Sequence, residues 1–301
     1  MKTLQLSFLF CLISVLSFGA ISSKEKAALI ALNSSTKGEN WFKTWNLNAP
    51  VYTWCGVIIE DDKVVGLNLD SNNLTGTLPE ALGDLVHLKK ISFFRNHLTG
   101  KIPSSIGNLT SLTTLNMAFN ELNGALPSSI VNLKSLVSLQ LFMNRIEGEI
   151  PRQIGNLANL EYLELYNNDI EGTIPKSIGK LAKLKELLIS SNRITGKLPT
   201  EISGMTSLRV LSVFDNKMLG IVPKSIGKLA GLEELVLANN AFYGDLPNEL
   251  ASLVNLKVLL LGNNAFKGDL AALEKNFPKM KNFDVQNTEG RGVIVTLDPE
   301  D

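Results

Sequence analysis

The sequence predicts an α/β repeat solenoid, a chain wound into near-identical coils over one continuous apolar core, and three observations predict it. Asn72, Asn96, Asn120, Asn144, Asn168, Asn192, Asn216, Asn240 and Asn264 recur every 24 residues (96 − 72 = 24) without an insertion. Glycines from Gly76 to Gly268 follow each asparagine by four positions, and prolines from Pro79 to Pro247 follow the first eight by seven. Leucine, isoleucine and valine fill the same columns between them. Self-similarity at a period of roughly 20–50 residues marks solenoids, propellers and arrays, and a 24-residue unit is long enough for one coil of a solenoid. The ninth expected proline is Ala271, so the pattern decays at the C-terminal end.

The unit from Leu160 to Lys183, LEYLELYNNDIEGTIPKSIGKLAK, shows what each column does. Leu163 and Leu165 alternate inward as in a short strand with one face on a core. Ile170, Ile174, Ile178 and Leu181 return to that core along the rest of the coil. A single coil cannot bury this face, whereas a stack can, each coil covering the next. A buried amide persists only when hydrogen-bonded, so the nine asparagines are expected to form a structural ladder bonded to the backbone of their own and the adjacent coil. Glycine permits left-handed backbone, and proline fits where no N–H is required.

The pattern L-x-x-L-x-L-x-x-N-x-L, with L-x-G-x-I-P after it, resembles the plant-type leucine-rich repeat. The resemblance implies a right-handed superhelix with a parallel sheet on the concave face and 3-10 or irregular turns on the convex face. Upstream, Lys24 to Thr36 has an apolar face suited to a short helix, and Trp41, Trp45 and Trp54 are the only tryptophans. With W-x-G-V at Trp54, Gly56 and Val57, this stretch resembles the N-terminal cap of that family, without the cap's usual cysteine pair. The division expected is a signal peptide at 1–20, a cap at 21–63, nine repeats at 64–279, and a partial tenth repeat with C-terminal cap at 280–301. Met280, Phe283 and Val285 keep strand register in the tenth (280 − 256 = 24), and Val293 to Leu297 is a candidate covering strand.

Lys2, the apolar run Leu4 to Phe18, and then Gly19 and Ala20 have the order of a secretory signal. The run is shorter than the roughly 20 residues that cross a bilayer, so a secreted product is expected, with no membrane insertion. A net charge of +0 gives no long-range attraction to nucleic acid. Cys11 falls in the leader, and Cys55 reads as a small buried residue of the cap; an intermolecular bridge is the other reading. A monomer is expected.

Recognition is expected on the concave face, where side chains between and after the inward leucines are free to vary. Two columns there bring Phe94, Arg95, Phe119, Phe142, Met143 and Tyr166 onto four consecutive strands, with Phe214 further along. Aromatic, Met and Arg side chains are enriched in interface cores; packing between coils is the competing role for these rings. Rows nearer the strand starts carry Lys89, Lys90, Glu161, Glu164, Lys185, Glu186, Arg209, Glu233 and Glu234, a mixed-sign set expected to be solvated. Lys176, Lys180, Lys183, Lys224 and Lys228 on the outer side are assigned to solubility. Asn33, Asn73 and Asn108 begin glycosylation sequons.

Chemistry has little to start from. His87 and His97 belong to no metal-ligand spacing, and no nucleophile elbow or phosphate loop is present. Glu161 and Glu164, on alternate faces and exposed, are not expected to have raised pKa values. No catalytic residue, metal or cofactor is expected. The ligand is expected to be a protein, peptide or glycan. Resemblance adds two more specific expectations: inhibition of a secreted hydrolase, as in polygalacturonase-inhibiting proteins, or a receptor-like ectodomain acting with a membrane co-receptor.

Overall fold

The computed structural model describes residues 21–286. The expected leader, Cys11 and the candidate strand Val293 to Leu297 lie outside the described residues.

The chain is a leucine-rich-repeat solenoid built on an eleven-stranded sheet. Its repeating strands are three residues long, for example Thr114–Asn116, Ser138–Gln140, Tyr162–Glu164 and Glu186–Leu188. They pair in parallel with no shift of register, Leu139 beside Leu163 and Leu163 beside Leu187. The register is strict because a one-residue slip would turn every leucine to solvent. Leu115, Leu139, Leu163, Leu211 and Leu235 are all fully buried, and one apolar cluster runs from Ala28 to Phe277. Asn282–Asp284 adds the final strand among the described residues, with Phe283 beside Leu259.

After each strand, the residue before the asparagine takes left-handed backbone, from φ 48° at Ser191 to φ 56° at Asn239. This bends the chain out of the sheet and drops the asparagine side chain beneath it. Asn120 is typical: its Nδ2 donates to the carbonyls of Phe93 at 2.9 Å and Met117 at 3.1 Å, and its Oδ1 accepts from Leu98 N at 3.0 Å. The ladder starts at Asn72, whose Oδ1 accepts from Lys43 N in the cap at 2.6 Å. It reaches Asn264, whose Nδ2 donates to Leu237 O at 3.0 Å.

The far side of each coil holds more order than the sequence suggested. Five short parallel strands from Thr75–Thr77 to Asp169–Glu171 form a second sheet, and four from Thr195–Gly196 to Ala265–Lys267 form a third. A Thr173–Thr195 bridge joins them. These strands contain or lead into the repeat glycines, and Gly76 shows why glycine stands there. Its φ is 91°, and a Cβ would lie 2.4 Å from Ser35 O. Beyond them the prolines precede 3-10 turns such as Ser104–Asn108 and Lys176–Lys180, where the missing N–H has no partner to lose.

The N-terminal end is closed by the helix Ser23–Ser35, which begins with a reciprocal capping box between Ser22 and Glu25. Glu25 also reaches across to accept from Val64 N at 3.0 Å, fixing the helix to the first long strand. Trp45 stacks on Trp54 at 4.9 Å and meets Trp41 edge-on at 4.9 Å. An antiparallel hairpin of Val57–Glu60 and Lys63–Asn68, turning at Asp61 and Asp62 with φ 47° and 58°, covers the sheet edge. Cys55 corrects the sequence reading: it is exposed. Trp54 takes the interior place beside it and Gly56, at φ 81°, turns the chain away, so the cysteine between them faces solvent while its carbonyl accepts from Trp45 Nε1 at 2.8 Å.

Candidate functional site

The concave face is ruled by three rows that run across the strands. The row nearest the asparagines carries a continuous line of rings. Phe94 meets Phe119 edge-on at 5.4 Å, Phe119 meets Phe142 edge-on at 5.6 Å, and Phe142 stacks on Tyr166 at 4.4 Å. The four rings are half-buried against one another and lie on the sheet's outer surface, while Phe93, one residue before Phe94, is fully buried. Ala118 occupies the column that holds Phe94 and Phe142, and being small it leaves a gap. Phe119, from the next column, fills it. The Arg95 guanidinium stands 5.3 Å from both the Phe94 and the Phe119 ring centres, a cation held on aromatic faces. Met143 is exposed at 36% beside Phe142.

Phe214 does not join this line. Ser190 separates it from Tyr166, and it packs instead on a small aliphatic cluster of Val236, Ala238 and Leu260, with Val258. Sequence reading did not pick out these aliphatic residues. Their signal was available: Val236 and Leu260 lie in register on the outward row, where a half-solvated strand ordinarily shows polar side chains.

Charge gathers nearer the strand starts. At the sheet's rim, Lys185 Nζ donates to Glu161 at 2.7 Å, and Glu233 accepts from Arg209 Nε at 2.7 Å and from Lys257 at 2.6 Å. The Lys257 and Arg209 hydrogen bonds hold the Glu233 carboxyl below its ordinary range. One step inward the balance reverses. Glu186 and Glu234 stand one residue in from the rim, and Glu164 stands in the row between these and the rings. All three are half-buried, and burial pushes each carboxyl above its ordinary range. Glu186 raises both Glu164 and Glu234 through its charge, although the Gln140 hydrogen bond at 2.9 Å opposes the rise at Glu164. Tyr166 is pushed up to about 12 by burial and by the Glu164 charge. Glu164, Glu186 and Glu234 therefore depart from the solvated face expected of them, and Glu164 from the unraised carboxyl expected of it, because packing of adjacent strands withdraws them from water.

The sequons occupy different settings. Asn33 is buried in the cap helix, the Asn73 side chain donates to Asn40 O at 2.8 Å, and Asn108 is exposed.

This solenoid, with an amide ladder inside and a varied concave face, is the architecture of a leucine-rich-repeat protein. The leucine-rich repeat region family matches residues 63–170 and 151–289, and the chain belongs to that family. Among solved structures it is similar to the ectodomain of the plant membrane receptor kinase GASSHO1/SCHENGEN3 from Arabidopsis thaliana, solved in complex with CASPARIAN STRIP INTEGRITY FACTOR 2. The two are 30% identical with a TM-score of 0.83, over 87% of this chain and 32% of that one. It is also similar to the ectodomain of the Arabidopsis receptor kinase HAESA in complex with an extended IDA peptide hormone, at 28% identity and TM-score 0.73, over 87% and 45%. A plant ice-binding protein shares the fold at 24% identity and TM-score 0.76, over 89% and 87%. The chain spans about a third of the GASSHO1/SCHENGEN3 ectodomain and under half of the HAESA ectodomain. No helix among the described residues is long and apolar enough to cross a membrane.

Proposed function

We propose that this chain is an extracellular, non-catalytic recognition module that binds an extended polypeptide on its concave face through Phe94, Arg95, Phe119, Phe142, Met143 and Tyr166, with Phe214 in an adjoining contact. In this reading residues 1–20 are a removable leader, 21–63 are the N-terminal cap, 64–279 are the nine repeats that present the site, and 280–301 are a partial tenth repeat with the C-terminal cap.

One observation carries the reading. The column before the asparagines demands left-handed backbone, and six of its nine members are Ser, Asp or Asn, which are small and polar and, for Asn and Asp, adopt it readily. The other three are Arg95, Phe119 and Met143, at φ 53°, 55° and 53°. Bulky side chains there strain the backbone and fill no interior space, and all three fall on consecutive coils beside the ring line. Strain held in place by its surroundings clusters where it serves binding. The similar HAESA ectodomain, solved with a peptide hormone, supports a polypeptide over a glycan.

A selection on a random twelve-residue display library tests the reading. The full chain is expected to enrich peptides, and Phe119→Ser/Phe142→Ser/Tyr166→Ser is expected to lose them while still folding. Equal enrichment on both proteins overturns it.

A further inference from the structure

We infer that the concave face selects a polypeptide segment carrying a basic side chain between apolar ones, the basic group lying over Glu164 and Glu186, with Glu234 extending the negative potential two strands further on. This rests on the concave-face reading above and adds the charge of the ligand to it.

The first ground is the distribution of cations. Lys185, Arg209 and Lys257 are the cations on the strands that carry the three acids or lie between and beside them. Lys185 is bonded to Glu161, while Arg209 and Lys257 share Glu233. Arg209 and Lys257 still act on Glu186 and Glu234 through space, yet burial outweighs them at both carboxyls. Among the described residues Glu164, Glu186 and Glu234 form no ion pair. Three carboxylates withdrawn from water, two of them reinforced by the charge of Glu186, make a strip of negative potential that the protein's own cations leave uncompensated. A cation delivered from outside gains more here than at the rim, because partial burial strengthens the attraction.

The second ground is what flanks the acids. Tyr162 stands beside Glu186 in register, and Glu164 lies one residue pair from Tyr166, so the ring line ends where the acids begin. On the other side Glu186 is followed in its row by Val210, Glu234 and Val258, next to the cluster of Phe214, Val236 and Leu260. From Tyr166 to Phe214 the surface thus reads aromatic, acidic, apolar along the solenoid, and Glu234 lies one strand past Phe214, on the strand of Val236. Tyr166 and Phe214 are two strand spacings apart, about 10 Å, a gap that three residues of extended chain cross at about 3.3 Å each. A segment with apolar side chains on both sides of an arginine or lysine matches that order. Tyr162 and Tyr166 also offer ring faces to the cation, as Tyr162 already does to Lys185 at 5.7 Å.

The same display selection tests this through the composition of what it enriches. Peptides with arginine or lysine flanked by apolar side chains are expected, and their affinity should fall about tenfold or more on Glu164→Gln/Glu186→Gln/Glu234→Gln. Replacing the peptide's arginine by citrulline, which keeps the shape and removes the charge, should cause the same loss on the unaltered protein, so the outcome does not depend on how the triple variant folds. Enriched peptides that need the ring line yet are neutral or acidic, or that tolerate citrulline, overturn the charge inference and leave the concave reading standing. Absence of enrichment, or enrichment indifferent to the rings, overturns both.

Discussion

Phe142 and Tyr166 lie one coil apart and stack with ring centroids 4.4 Å apart and 9° between planes, the most nearly parallel contact in the ring line. Parallel strands in exact register at a 24-residue period place equivalent outward positions side by side, so the stack follows from the fold and the choice of two aromatic residues. A double-mutant cycle of Phe142→Ala and Tyr166→Ala should give a coupling of about 0.5–1.5 kcal/mol in thermal or denaturant unfolding. A coupling near zero would mean the rings are held by the sheet alone and are free to part around a ligand.

Met143 tests the strain argument without disturbing the rings. It is exposed and sits at φ 53°, so Met143→Asn relieves left-handed backbone while removing little packing. A gain of about 0.5–1 kcal/mol in unfolding free energy is expected, together with weaker peptide capture. If the substitution lowers stability, the methionine contributes to the fold and the strain argument loses its cleanest case.

The amide ladder should behave differently. Asn120→Ala leaves the Leu98 N–H and the Phe93 and Met117 carbonyls without their side-chain partner in the interior. Loss of buried hydrogen bonds of this kind costs about 2–4 kcal/mol. Because each coil bears on its neighbours, hydrogen exchange should rise in the coils on both sides of Asn120 ahead of the cap. Exchange confined to one coil would contradict a ladder that couples them.

Much of this was legible because the repeat writes the interior in a single alphabet. The inward leucines, the asparagines and the glycines are each forced by one local requirement, so their columns can be read one at a time. The concave surface is harder to read because its environment is made by neighbours 24 and 48 residues away. Phe94 and Phe119 could be placed near each other from their columns, but Phe214 joins the aliphatic cluster only because Ser190 interrupts the row. The raised carboxyl of Glu164 likewise depends on its burial in the stacked sheet and on the charge of Glu186 one strand away. The short second and third sheets escaped notice because two or three residues around a glycine carry no alternation to detect. Cys55 went the other way from its residue type because Trp54 and Gly56 on either side decided which of them faces inward.

The buried acids also set a pH dependence whose direction can be stated. A carboxyl with a higher pKa in the folded chain than in the unfolded one destabilises the fold wherever it must be charged, and the penalty fades as pH falls through the raised value. Glu186 and Glu234 are in this position, chiefly through burial. Glu186→Gln/Glu234→Gln should therefore melt about 1–3 °C above the parent at pH 7, and the difference should shrink as pH falls through the raised values and vanish by about pH 3, below the ordinary glutamate value, where the parent's carboxyls are protonated in both states. Glu80 and Glu233 work in the opposite sense, since their carboxyls are lowered by the Ser105 backbone hydrogen bond and by Lys257. Their contribution is present above the unfolded value and is lost on acidification through the lowered one. Comparing variant with parent at each pH cancels it. A bound cation over Glu186 would reverse the ranking at pH 7, because the carboxylate then gains a partner that the carboxamide lacks. Melting curves of both proteins with and without an enriched basic peptide would show that crossing, and curves that keep their order would mean the acids do not meet the ligand's charge.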